Sequence, residues 1–121
     1  MTTALIAVLV VVMVEHVWFL VLEMFLWTRP LGLRTFRNTP ERARDSATLA
    51  RNQGVYNGFL AAGCLWALCH PDPLVARQIA TFFLACVAVA GVFGAITVSR
   101  RIFFIQALPA LAGLALVWRT S

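Results

Sequence analysis

Lysine is missing from this sequence, and arginine carries all of its positive charge. Acid is scarce: five Asp and Glu stand against ten Arg, for a formal charge of +5. Charged residues make up 12% of the 121 positions, far below the ~25% of soluble domains. So little charge cannot solvate a globular surface of this size. Histidine occurs twice, at His16 and His70, in segments placed on opposite sides of the membrane below. That placement argues against a bis-histidine haem within one chain and leaves open a single-histidine haem at a subunit interface. The cysteines, Cys64, Cys69 and Cys86, are odd in number and lie in or beside apolar segments, which excludes a disulfide framework. Their spacing matches no zinc motif, and Cys69-His70 with Asp72 offers at most a weak metal site. There is no phosphate-cradling glycine loop, no serine elbow, no repeat and no low-complexity tract.

What the chain has in quantity is apolar residues, 61% of the total. Apolar stretches at about Thr3–Thr28, Ala47–Cys69, Leu74–Ser99 and Ile102–Trp118 exceed or approach the ~17–25 residues that cross a bilayer. Little chain remains for anything else. The expected fold is all-α: one domain, residues 1–121, of four transmembrane helices in an up-down bundle. Their expected extents are about 3–28, 40–69, 73–98 and 101–119. Arg29, Arg34, Arg37, Arg42 and Arg44 fall in the first loop with Arg51 just beyond, and Arg100 and Arg101 in the third. Arg77 and Arg119 are alone on the other side. The positive-inside rule then makes loops one and three cytoplasmic, with both termini outside. The expected location is the bacterial inner membrane, multi-pass. The first segment lacks a basic leader and a small-residue cleavage site, so it reads as a retained helix.

Local signals place the boundaries. Pro30 and Gly32 read as stops for the first helix. Thr39, Pro40 and Glu41 are a cap, a first-turn proline and a dipole-complementing acid, so the second helix should start ahead of the membrane. Its Arg-rich polar face suits anionic headgroups. Asp72 and Pro73 open the third helix in the same way. Gly91, Gly94 and neighbouring alanines allow close packing in an antiparallel hairpin with the fourth helix. Pro109 should disturb that helix near its middle. Trp27, Trp66 and Trp118 lie toward segment ends, as aromatic belts do, whereas Trp18 is mid-membrane.

The informative feature is polar. Glu15, His16 and Glu23 interrupt the first apolar run. An ionisable group at membrane depth costs roughly 2.5–3.5 kcal/mol on insertion scales. At 1.5 Å per residue, Glu23 lies ~7 Å and His16 ~18 Å from the inner end of the first helix. Asn52 and Gln53 lie ~8–9 Å, Asn57 ~15 Å and Gln106 ~6–7 Å deep on theirs. These residues occupy one slab, the cytoplasmic half of the bilayer. His16 and Glu23, seven apart, share a face, and Gln53 and Asn57 form a stripe flanked by Gly54 and Gly58. Desolvation should turn them inward, into a polar pocket open to the cytoplasm and walled by Trp18, Phe19, Phe59 and Phe103 or their neighbours, with the Tyr56 hydroxyl nearby. Two plainer roles compete. Amides such as Asn52 and Gln106 also bond helices together, and Glu23 could pair with an arginine near the inner surface.

Glu15-His16, Glu-Met-Phe-Leu-Trp at 23–27, Asn-Gln-Gly-Val-Tyr-Asn-Gly at 52–58, the Ala90–Thr97 stretch and Gln106-Ala-Leu-Pro109 together resemble one group. It is the bacterial domain-of-unknown-function family thirteen-oh-four, small four-helix integral membrane proteins. The resemblance covers nearly the whole chain and implies membrane location. It implies no activity.

From the residues themselves, the expected function is acid–base catalysis on an apolar small molecule, of isomerase, epoxide-opening or cyclase type. Glu15, His16 and Glu23 are the candidate catalytic groups; Trp18, Asn52, Gln53, Tyr56, Asn57 and Gln106 are the candidate substrate-binding groups. A proton-coupled small-molecule transporter is the alternative. Against it stands the single orientation imposed by the charge bias, since such exporters need inverted copies. A haem- or metal-binding protein, with His16 as ligand, is a third reading, and an accessory subunit a fourth. No cofactor is expected, with haem or metal left open. The expected partners are the bilayer and an apolar ligand, with homo-oligomerisation open and no nucleic acid.

Overall fold

A computed structural model describes residues 1–119. These residues form helices α1 (Thr3–Met24), α2 (Pro30–Phe36), α3 (Pro40–Asp45), α4 (Ala47–Cys69), α5 (Pro73–Thr97), α6 (Arg100–Ile102) and α7 (Leu108–Arg119), with a π-helical turn at Phe103–Ala107. No strand occurs among them. Three helices are long and apolar enough to cross a membrane: Thr3–Met24, Pro73–Thr97 and the continuous run Arg100–Arg119. α4 has comparable length, 23 residues, but carries Arg51, Asn52, Gln53 and Asn57 in its first half.

Two compact units divide the chain, and the division falls inside α1 and α4. The first comprises residues 1–14 and 60–119. Its core contains Leu5, Leu9 and Val12 of α1, Cys64 and Ala67 of α4, Leu84 and Val87 of α5, and Ala110 and Val117 of α7. α5 begins as its sequence requires. Asp72 Oδ1 accepts from the backbone N–H groups of Leu74 (2.9 Å) and Val75 (3.2 Å), and Pro73 takes the first turn, where no N–H is needed. α5 and the final helix form a close hairpin. A Cβ on Gly91 would lie 2.5 Å from the Ala107 nitrogen and 2.8 Å from its Cα, so only glycine admits this approach. The expected disturbance from Pro109 takes the form of the π turn before it. Leu108 N–H bonds back five residues to the Phe103 carbonyl, widening the helix just ahead of a ring that would crowd the i−4 carbonyl.

The second unit is residues 15–59. Here the boundaries differ from expectation. α1 ends at Met24, four residues early, and Pro30 starts a helix instead of ending one. Both Pro30 and Gly32 serve α2: proline fits its first turn, and Gly32 lets it press on the Leu26 carbonyl, where a Cβ would overlap. Arg37, in the left-handed region (φ 51°, ψ 45°), closes α2. Thr39 Oγ1 then accepts from Arg42 N–H at 3.2 Å and caps α3. The expected single helix from residue 40 breaks at Ser46, whose hydroxyl donates back to the Arg42 carbonyl (2.7 Å) and accepts from the Trp27 indole N–H (3.1 Å). Trp27 also lies against Phe36, ring centroids 4.9 Å apart.

Candidate functional site

α1 and α4 run antiparallel through the second unit, and glycine sets their register. Gly54 packs on Met24 and on the Leu20 carbonyl, and Gly58 packs on the Leu20 side chain. That register brings Glu23 opposite Asn57. Asn57 Nδ2 donates to Glu23 Oε1, joining two residues 34 apart in sequence. Glu23 is half-buried and its partner in this bond is an amide, not an arginine.

About two turns back along α1 sit His16 and Glu15, seven and eight residues from Glu23, or ~10–12 Å along the helix axis. His16 is completely buried, the only buried polar or charged residue among the described residues, with the Phe19 ring edge-on at 5.2 Å. Glu15 is half-buried. Its Oε1 is shut off from the surface and has no hydrogen-bond partner among the described residues. A carboxyl oxygen in that condition is costly, since an unmade buried hydrogen bond forfeits about 1–3 kcal/mol.

The other candidates are distributed differently. Asn52 and Gln53 are exposed because they lie off the inward face of α4, which carries Ala50, Gly54, Asn57 and Gly58. Trp18 (44% exposed) and Tyr56 (61% exposed) point outward, Tyr56 making an edge contact with Phe59 at 5.9 Å. Gln106 is half-buried in the π turn and belongs to the first unit. Within the second unit the structure thus brings Glu23 and Asn57 together, buries His16, half-buries Glu15 with its Oε1 shut off, and leaves Trp18, Asn52, Gln53 and Tyr56 outside. The Trp27–Ser46 bond was not anticipated. The one available signal was an indole one turn past the end of an apolar helix, where a polar partner is usual.

Among the described residues no group of three or more His, Cys, Asp and Glu is arranged to hold a metal ion. The weak candidate at Cys69, His70 and Asp72 serves the α4–α5 turn instead: His70 Nδ1 accepts from Asp72 N–H at 3.1 Å while the Asp72 carboxylate caps α5.

The sequence profile of the family described as Protein of unknown function (DUF1304) matches residues 10–118, and the chain belongs to that family. It is also similar to the "Uncharacterized protein YpaA" of Lactococcus lactis subsp. lactis (strain IL1403), 28% identical over 119 residues that cover 97% of each chain. No solved structure matches it.

Proposed function

We propose that this protein is a four-span protein of the bacterial cytoplasmic membrane that performs acid–base chemistry on an apolar small molecule, α4 being the fourth span. The observation that carries the reading is the Glu15 carboxyl: an oxygen cut off from solvent, without a hydrogen-bond partner among the described residues, adjacent in sequence to a fully buried imidazole. Structural polar groups in membranes are satisfied by their neighbours. A group left unsatisfied is available to a bound molecule, and intramembrane ionisable residues mark function by default.

Double-bond isomerisation uses this equipment with no co-reactant. The protonated Glu15 carboxyl delivers its proton to one alkene carbon. A proton leaves the allylic carbon to His16, and the double bond re-forms one position along. Exchange with water then restores the starting state, His16 giving up a proton and Glu15 regaining one. Cyclisation of a polyene shares the first step; in epoxide opening the Glu15 proton goes to the ring oxygen as a C–O bond breaks, and His16 takes a proton from the adjacent carbon to leave an allylic alcohol. Glu23, held by Asn57, adds a positioned carboxyl–amide pair toward the end of α1 that can orient a polar substituent.

The test is mass-spectrometric profiling of membrane extracts from cells lacking the protein. Each strain is complemented with wild type, Glu15→Gln or His16→Ala. The expected result is a compound that accumulates in the deletion strain, is consumed with wild type and persists with both variants. Full restoration by both variants, folded and present at wild-type levels, would remove the acid–base reading. A loss confined to proton-driven flux across vesicles would favour a transporter.

A further inference from the structure

Six arginines, Arg29, Arg34, Arg37, Arg42, Arg44 and Arg51, fall within 23 residues, against only Glu41 and Asp45, for a local charge of +4. All six are exposed, and none is held by an ion pair among the described residues. The fold explains how they come to face outward together. α2 is pinned by Gly32 against the Leu26 carbonyl, and α3 turns Ala43, fully buried, inward. The Trp27 indole, bonded to Ser46 and packed on Phe36, ties the turn after α1 to α2 and to the α3–α4 junction. Small residues make the inward contacts, so every guanidinium is left at the surface. Exposed apolar side chains, Phe25, Leu31, Phe36 and Leu49, stand among them. Such a mixture suits the headgroup layer, where apolar side chains dip and charges stay at phosphate level.

We propose that the exposed face of residues 29–51 is a binding surface for the phosphate headgroups of anionic phospholipids. Six like charges on one 23-residue segment repel unless countered. The choice of arginine fits the same ligand. Topology needs only positive charge, which lysine supplies equally, whereas the guanidinium fork binds phosphate oxygens two at a time. The inference is independent of the chemistry at Glu15.

The experiment uses the full-length protein in micelles containing equal amounts of phosphatidylglycerol and phosphatidylcholine, with retained lipids counted by native mass spectrometry. Wild type is expected to retain phosphatidylglycerol preferentially, and the preference should fall as sodium chloride is raised. Arg34→Gln with Arg44→Gln should lose most of it, at about fivefold per guanidinium. The charge-matched pair Arg100→Gln with Arg101→Gln, also exposed, should keep it. Equal retention of the two lipids by wild type, or equal loss in the two double variants, would overturn the proposal. So would stabilisation by inorganic phosphate alone that vanishes in Arg34→Gln/Arg44→Gln, which would mark a free-anion site. Should the first pair fail to fold, a wild-type preference insensitive to salt would overturn it as well.

Discussion

Replacing Asn57 by leucine removes the donor that satisfies Glu23 and leaves a half-buried carboxyl unpaired. Two magnitudes enter. Interhelical side-chain hydrogen bonds in membrane proteins average ~0.6 kcal/mol and reach ~1.7. An orphaned buried polar group costs about 1–3 kcal/mol. Asn57→Leu should therefore destabilise by about 1–3 kcal/mol, the orphan outweighing the bond. Glu23→Gln keeps an acceptor oxygen facing the Asn57 amide and should cost much less. Glu23→Leu with Asn57→Leu removes both partners and leaves no orphan, so it should be more stable than the sum of the two leucine singles by at least the ~0.6–1.7 kcal/mol of the bond itself. The assay is reversible unfolding of the full-length protein in mixed micelles titrated with sodium dodecyl sulfate, followed by far-ultraviolet circular dichroism. Additivity of the two leucine substitutions within about 0.3 kcal/mol would refute the bond as a coupling between α1 and α4.

Three further outcomes are expected. Gly91→Val forces side-chain atoms into the Ala107 backbone, which cannot swing away, and should destabilise the α5–α7 hairpin by at least the ~1–3 kcal/mol typical of overpacking; Gly113→Ala, which meets mainly flexible Leu84 and Val8 side chains, should cost less in the same unfolding assay. Asp72→Ala removes the cap from Leu74 and Val75 and should cost about 0.5–2 kcal/mol, with Asp72→Asn retaining most of the stability. Thr35→Cys, on the exposed Arg-rich segment, should label with an impermeant maleimide only after the cells are opened; labelling of intact cells would reverse the orientation drawn from the arginines.

Features set by neighbouring residues in the chain were legible in advance. The Thr39-Pro40 and Asp72-Pro73 starts need only a capping oxygen and a proline, and both stand in the structure as read. The closeness of Gly91 to the last helix followed from its size and place. Features set by distant contacts were not legible. Pro30 and Gly32 read as stops because nothing nearby reveals that Gly32 will rest on the Leu26 carbonyl. The break at Ser46 depends on an indole nineteen residues away. The site divides the same way. Depth alone assigned Glu15, His16, Glu23 and Asn57 to the interior half of the bilayer, and their burial or pairing in the second unit rests on the apolar lengths around them. Asn52 and Gln53 had similar depth on paper. Their exposure comes from the face of α4 that meets α1, where Gly54 and Gly58 take the contact, and no local signal fixed that rotation.

Proton transfer at Glu15 and His16 is tested most directly with heavy water. Proteoliposomes of the full-length protein, incubated in deuterium oxide with the compound that accumulates in its absence, should place solvent deuterium on carbon in the product. The Glu15 carboxyl exchanges with solvent before each turnover and then delivers what it carries. Glu15→Gln should abolish both conversion and labelling while the protein stays folded. Conversion with no carbon-bound deuterium, or labelling at the wild-type rate by Glu15→Gln, would contradict the account.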